Sequence, residues 1–442
     1  MYLEIEGTIK ERIFTSFFKE LLDKNVQYCV LRNYHSLPNS TNGSDLDILV
    51  DRRSLSVFYE VLNSIMHRFN GSLVSAIEDE VCPKFCFCNK NWGIQIDVFI
   101  DNVRFGNRDL IPVNIIWNNV ELYNEISVLT SKLGSLVAFL KELLNNRTCD
   151  DKYIKKLVNY YEKEEIEPAL LANFHPAFAD KLNEYLRNKE EFNFHELYKL
   201  SKLTFNKSIY QGFSNKIKRL KANPGYTIAF LGTDGSGKST LIDSIRPILN
   251  EAFHKGVYYE HLRPNKFPSI AKLLGKKEEF DGPVTDPHSK EPSGFLGSLL
   301  RWSYYLLDYT LGYMLKVFPK RASKSCVWIF DRYYYDYRID KRRTRVNLPD
   351  WLLRLGQFII PEPDLIICLG ADPVSIHSRK PELTLDEVKR QVSVLSEFCS
   401  ANKRAVWVDT GQSINQSVND TMTAILKVMK KRFESISKFE IV

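Results

Sequence analysis

The run Tyr226-Thr-Ile-Ala-Phe-Leu231 leads without a break into Gly232-Thr-Asp-Gly-Ser-Gly-Lys-Ser-Thr240, and Leu241, Ile242 and Ile245 follow at helical spacing. An apolar run, a glycine-rich turn and an apolar helical stripe in that order leave one local arrangement open: a buried strand, a tight loop and a helix. The turn matches G-x-x-x-x-G-K-[ST], a phosphate-binding loop. Its glycines, lacking Cβ, let backbone N–H groups close around a β-phosphate. Lys238 is placed to reach β/γ oxygens and the Ser239 hydroxyl to meet Mg²⁺. Gly232, Thr233, Asp234, Gly235, Ser236, Gly237, Lys238, Ser239 and Thr240 therefore form the expected nucleotide-binding set. ATP and Mg²⁺ are the expected cofactors, with the helix N-terminus facing the phosphates.

From Tyr226 onward, strand-like and helix-like patterns alternate, with strands expected at 226–231, 257–262, 326–330, 364–369 and 405–408. That alternation predicts an α/β fold, a P-loop NTPase parallel sheet with helices on both faces, over 226–442. Residues 1–104 mix a helical run, Ile13–Leu22, with β-rich runs at Val26–Leu31, Asp45–Val50 and Ile94–Ile100, and predict a small α+β domain. Residues 105–211 are mostly helical in period, as in Ser135–Leu144 and Tyr153–Tyr161, and 212–225 reads as a basic linker closed by Asn223-Pro-Gly225. Residues 276–294, rich in Pro, Gly and charge, predict a mobile loop.

At 442 residues the chain is long enough for two or three domains, and 44% apolar with 26% charged residues describes a well-cored protein. The eight cysteines have no disulfide-framework spacing, and Met1-Tyr-Leu-Glu-Ile-Glu is no secretory leader, so a cytoplasmic protein with reduced thiols is expected. Gly297–Phe318 is apolar but carries Arg301, Asp308 and Lys316, which predicts an amphipathic helix rather than a membrane span. The net charge of +7 is spread over Lys216–Lys221, Lys341–Arg345 and Lys430–Arg432, where a nucleic-acid reader needs a denser patch with aromatics. The expected partner is a small-molecule acceptor; a homodimer is left open.

Further features narrow the chemistry of the second half. Val327–Phe330 ends in Asp331-Arg332-Tyr333, which brings a carboxylate to the sheet edge where a Mg²⁺-triphosphate lies. Gly256–Leu262 ends in Arg263-Pro264, Pro363–Leu369 leads into a helix carrying Ser378-Arg-Lys-Pro-Glu382, and Ala405–Thr410 reads as a last strand. Over roughly residues 225–435 this set resembles the thymidylate kinase family of nucleoside monophosphate kinases. The resemblance matches the family's loop acid to Asp234, its Asp-Arg-Tyr to Asp331, Arg332 and Tyr333, and its acceptor-phosphate arginine to Arg263. It implies that Lys238 and a lid arginine, Arg379, stabilise the transferring phosphoryl group, that Ser239 and Asp331 organise the metal, and that Arg332 and Arg263 hold the acceptor. Asp308, on the aromatic helix Trp302–Tyr309, is a candidate polar contact to the acceptor. After Asp-Arg-Tyr the chain continues Tyr334-Tyr-Asp-Tyr-Arg-Ile-Asp, unlike the family's pyrimidine-gripping segment, so the acceptor stays open between a nucleoside monophosphate such as dTMP and a sugar-like metabolite. Arg342, Arg343 and Arg345 are further candidates for recognising a phosphate or an acidic sugar.

A second signal is Asn42-Gly-Ser-Asp-Leu-Asp-Ile-Leu-Val50. Strand alternation puts Asp45 and Asp47 on one face, and Asp97 in Ile94–Ile100 can lie on an adjacent strand. Three acids so held suit divalent metal, which can activate an attacking hydroxyl and steady a leaving pyrophosphate. The pattern resembles the polymerase-β type of nucleotidyltransferase over roughly the first hundred residues, which implies Asp45, Asp47 and Asp97 as metal ligands. The pairing of domains suggests a kinase whose product the first domain caps with a nucleotide. The competing readings are a regulatory NTP-binding module with no acceptor, and a nucleotidyltransferase with an auxiliary P-loop domain. Cys82, Cys86 and Cys88 lack a fourth Cys or His nearby and read as apolar thiols rather than a zinc site.

Overall fold

In the computed structural model, which describes residues 2–77, 82–105, 108–188, 191–203, 223–268, 270 and 294–436, the chain divides after Lys221 into two units. The first is built on a mixed sheet. Its strands are β1 (Tyr28–Val30), β2 (Leu46–Val50), β3 (Ser72–Ile77), β4 (Lys84–Cys88), β5 (Gly93–Ile100), β6 (Val120–Tyr123) and β7 (Ile126–Leu129), in the order β3-β4-β5-β2-β1-β7-β6. β2 and β5 run parallel with Asp47 directly opposite Asp97, and β4 runs antiparallel to β5 with Lys84 also opposite Asp97. Helices α1 (Tyr2–Asp23) and α2 (Leu55–Arg68) pack on each other, with Phe17 of one edge-on to Phe58 of the other.

The stretch 105–211 is mostly helical, as its period predicts, and includes α3 (Ser131–Asn146), yet it also adds β6 and β7 to the sheet. The hairpin between them turns on Asn124 and Glu125, both at positive φ. Such a turn is usually signalled by Asn-Gly, and Glu in the second place hid it. The helices share one core with the sheet: Leu31, Leu49 and Phe99 pack with Leu136, Leu140, Phe178 and Leu197.

The second unit is a five-stranded sheet in the order β9-β10-β8-β11-β12, every neighbouring pair parallel: β8 (Tyr226–Gly232), β9 (Val257–His261), β10 (Val327–Asp331), β11 (Leu365–Gly370) and β12 (Ala405–Asp409). Each expected strand is present within a residue or so of its expected bounds. The three central strands, β10, β8 and β11, are nearly continuous apolar runs because both their faces are covered. Ala229, Leu231, Trp328, Phe330, Ile366 and Cys368 point to the layer holding Trp302 and Tyr309. On the other side Tyr226 meets Phe253, just past helix α4 (Lys238–Ala252), and donates to the Met429 carbonyl. This is an α/β fold of the P-loop NTPase kind. Its strands end together at Gly232, His261, Asp331 and Gly370, the edge at which open α/β sheets bind ligands.

Helix α5 (Phe295–Leu307) carries the expected apolar stretch, which continues as a π-helix over Asp308–Val317. All eight cysteines are free thiols. No helix among the described residues is long and apolar enough to cross a membrane. The expected loop 276–294, but for its last residue, and most of the expected linker lie outside the described residues.

Candidate active site

The loop between β8 and α4 takes its shape from backbone that other residues resist. Gly235 and Gly237 both sit at φ +83, and a Cβ on Gly235 would lie 2.8 Å from the Ile376 carbonyl. Gly237 is the N-cap of α4, so the first N–H groups of that helix face the loop. Lys238 folds back over the turn and donates to the carbonyls of Gly232 (2.8 Å) and Thr233 (2.9 Å). Ser239 is exposed on the first helical turn. The Thr233 and Ser236 hydroxyls are buried with no protein hydrogen-bond partner. Buried polar atoms are rarely left so, and a loop holding two of them is shaped for something that brings partners with it.

Asp331 ends β10 beside the loop. One oxygen accepts from the Tyr259 hydroxyl at 2.9 Å with His261 at 3.9 Å, and Oδ1 is buried and unpartnered. Burial pushes this carboxyl up, but His261, Lys238 and Tyr259 outweigh it and hold it at about 2. Arg332 follows at φ +72, a conformation bulky residues avoid, fixed by its N–H donating to the Phe230 carbonyl. Its guanidinium is buried between Asp336 (2.7 Å) and Asp234 (2.6 Å), and Asp234 also accepts from Arg343. Burial pushes Asp234 up, yet Arg332, Lys238, Arg343 and Lys380 together hold it well below the usual carboxylate range. The Lys238 ammonium is driven the other way, to about 7, by burial and by the Arg332 charge. An ammonium so depressed lacks the counter-charge that a polyphosphate supplies.

Arg263, at the end of β9, is buried. It donates to Asp308 at 2.6 Å and to the Phe267 carbonyl at 3.2 Å, and lies 4.9 Å from the Tyr305 ring centroid. Asp308 also accepts from the N–H groups of Asn265 (3.0 Å), Lys266 (3.0 Å) and Phe267 (3.2 Å). Expected as an acceptor contact, Asp308 has both oxygens committed to this loop and instead positions Arg263. Near Arg263 the Tyr337 hydroxyl is fully buried and unpartnered; burial drives the phenol well above its ordinary value, with Arg263 and Arg301 opposing.

The expected lid arginine is engaged elsewhere at rest. The Arg379 guanidinium, at the end of helix α6 (Pro373–Arg379), donates to the Thr410 carbonyl at 3.0 Å and does not join the charges of the phosphate loop. Arg343 does, on the helical turn Lys341–Thr344, one of the three arginines noted there, and Lys380, the residue after Arg379, adds its charge to Asp234. Asp336, Tyr259 and His261 escaped sequence reasoning. Of these only Asp336 left a signal, standing four residues after Arg332.

In the first unit Asp45, Asp47 and Asp97 are all buried and offer carboxylate oxygens within 4.8 Å of one another. The expected trio is thus assembled, with cations standing among its carboxylates. Arg32 donates to Asp45 at 3.0 Å and to Asp47. Lys141 donates to both Asp47 oxygens (3.1 and 3.0 Å) and lies 3.5 Å from Asp45. Lys84 pairs with Asp97, whose other oxygen accepts from Gln95 at 3.0 Å. Against the pull of burial, Asp97 holds the Lys84 ammonium well above its ordinary value. Hard oxygen donors suit Mg²⁺, and here Arg32, Lys84 and Lys141 also stand among them.

No protein-family model matches the chain, and no curated protein does. Solved structures similar to part of it include the thymidylate kinase of Ehrlichia chaffeensis, 16% identical with a TM-score of 0.31 over 46% of this chain and 98% of that one. Another is the thymidylate kinase of Candida albicans, 21% identical with a TM-score of 0.33 over 47% of this chain and 93% of that one.

Proposed function

We propose that the second unit transfers the γ-phosphoryl group of ATP to a small phosphorylated acceptor. The observation that carries the reading is the phosphate loop itself: unpartnered buried hydroxyls on Thr233 and Ser236, a depressed Lys238 and a half-unpartnered Asp331 beside them. The donor chemistry fits Mg²⁺, with the exposed Ser239 hydroxyl and the free Asp331 oxygen as its hard oxygen ligands. Bound there, Mg²⁺ would offset triphosphate charge and fix the orientation of the nucleotide.

The chain's own residues then divide the work. The α4 N-terminus and the loop N–H groups bind the β-phosphate, and Lys238 leaves the Gly232 and Thr233 carbonyls for the β/γ oxygens. An acceptor oxygen forms its bond to the γ-phosphorus as the bond to the ADP oxygen breaks, and charge gathers on the equatorial oxygens. Lys238 and Arg343 are the cations on the loop side, and Arg332 and Arg263 those on the acceptor side. Asp234 tethers Arg332 and Arg343, and Asp308 tethers Arg263, so these guanidiniums are oriented beforehand.

The arginines favour an acceptor that already carries phosphate, such as a nucleoside monophosphate (dTMP among them) or a phosphorylated sugar. The test incubates the protein with γ-labelled ATP, Mg²⁺ and a panel of both classes. Label on one class, lost in Lys238→Ala, supports the reading and names the acceptor. Tight ATP binding with no labelled product across the panel would replace it with a regulatory nucleotide-binding role.

A further inference from the structure

We infer that the acid cluster of the first unit is a closed ion-pair keystone that takes no divalent cation, its neutralising charges being Arg32, Lys84 and Lys141. Three carboxylates this close in a buried sheet repel one another strongly and require counter-charge. Metal ions are one solution and side-chain cations are another. Among the described residues, Arg32, Lys84 and Lys141 stand against Asp45, Asp47 and Asp97.

The placement of those cations matters as much as their number. Lys141 Nζ stands within 3.5 Å of oxygens from both Asp45 and Asp47, the ground an ion shared by the two would occupy. Arg32 bridges the same two acids from the end of β1. The side chains of Lys141 and Arg32 are only 9% and 8% exposed, so both charges are held inside the cluster rather than in solvent. Lys141 projects from α3 between the core residues Leu140 and Leu143, and Arg32 also donates to the Tyr153 hydroxyl at 3.4 Å. A divalent ion added to this arrangement would crowd further positive charge against Lys141 and Arg32 in buried surroundings, which is strongly unfavourable.

The network also explains why such charge is buried. It ties the end of β1, the start of β2, β4, β5 and α3 to one point, and Asp47 and Asp97 face each other only in the correct parallel register. A slip of one residue would turn Asp47 to the opposite face and leave Lys141 and Arg32 unpaired. The inference concerns the first unit and stands apart from the kinase reading of the second. It removes the two-metal basis for nucleotidyl transfer there.

The test uses the full-length, nucleotide-free protein. Mn²⁺ binding is followed by loss of the free-ion EPR signal, and melting is recorded in EDTA and in Mg²⁺. The expected results are no Mn²⁺ binding that depends on the cluster and the same melting temperature in both conditions. Lys141→Met leaves the acids one cation short and should gain Mn²⁺ affinity by roughly tenfold or more and become stabilised by Mg²⁺. Mn²⁺ bound to the unaltered protein and lost in Asp45→Asn overturns the inference, as does a first unit whose melting EDTA lowers. Asp47→Asn separates the alternatives again: a paired cluster melts earlier without it, whereas a repelling metal trio melts later in EDTA. Should that variant fail to fold, the measurements on the unaltered chain still decide.

Discussion

The two units each bury a cluster of charge, and the clusters differ in what they leave unfinished. In the first unit, each oxygen of Asp45, Asp47 and Asp97 faces a cation or an amide N–H of the same chain. In the second, Thr233, Ser236 and Asp331 keep buried polar atoms without a protein partner, and Lys238 is held where its charge is unwelcome. Satisfied polar clusters hold a fold together, and unsatisfied ones are completed by what binds. Motif content alone would have ranked both as metal-dependent sites. Partner accounting separates them.

The sharpest way to break this comparison is to remove one cation from each cluster. Lys238→Ala should lower phosphoryl transfer by about 10²–10³-fold, read as kcat/KM for the acceptor found with labelled ATP, with folding intact. Arg32→Met should instead act on stability, lowering it by about 3–5 kcal/mol in urea unfolding because two buried carboxylates lose a partner. If Arg32→Met proves neutral to stability, the first cluster is not the keystone described above.

A smaller effect carries a sign that only the unfinished cluster predicts. Lys238→Met should raise the stability of the unliganded protein at pH 7. The ammonium titrates near 7 when folded and near 10.5 when unfolded, so below 7 its charge is carried at full cost. Between those values the unfolded state binds more proton, and the stability of the unaltered protein rises with pH. The advantage of the variant should therefore shrink from pH 7 toward pH 10, as melting temperatures across that window will report. An advantage that stays constant would mean that packing, not charge, is being changed.

What the sequence revealed followed from how local each determinant is. The phosphate loop is contiguous, so its residues, strand and helix could all be read from one stretch. The Asp47–Asp97 pairing needed only strand alternation and one parallel register. Lys84 was within reach too, since counting back through the β4–β5 hairpin places it opposite Asp97. Lys141 was not, because it joins Asp47 from 94 residues away on a helix whose period shows only that it is amphipathic. Arg343 reaches Asp234 across 109 residues from a short helical turn with no motif around it. Asp308 was found as a polar residue on an apolar face, but its partners, the N–H groups of 265–267, are backbone and carry no sequence signature.

Asp308 and Arg379 test how far partner accounting extends beyond the clusters. Asp308→Asn keeps the shape but weakens the hold on Arg263, so the acceptor KM should rise about tenfold while the ATP KM stays unchanged. The smallest effect belongs to Arg379→Ala. Its guanidinium is spent on the Thr410 carbonyl, and losing one such bond near solvent is worth about 1 kcal/mol, less than tenfold in rate. Arg343→Ala should cost more in kcat than Arg379→Ala, since Arg343 alone of the two touches the loop acid. Single-turnover rates for both variants decide the order. Were Arg379→Ala the more damaging, its guanidinium would have to leave Thr410 for the transferring group, and a residue with a satisfied partner at rest would be shown to act in the reaction.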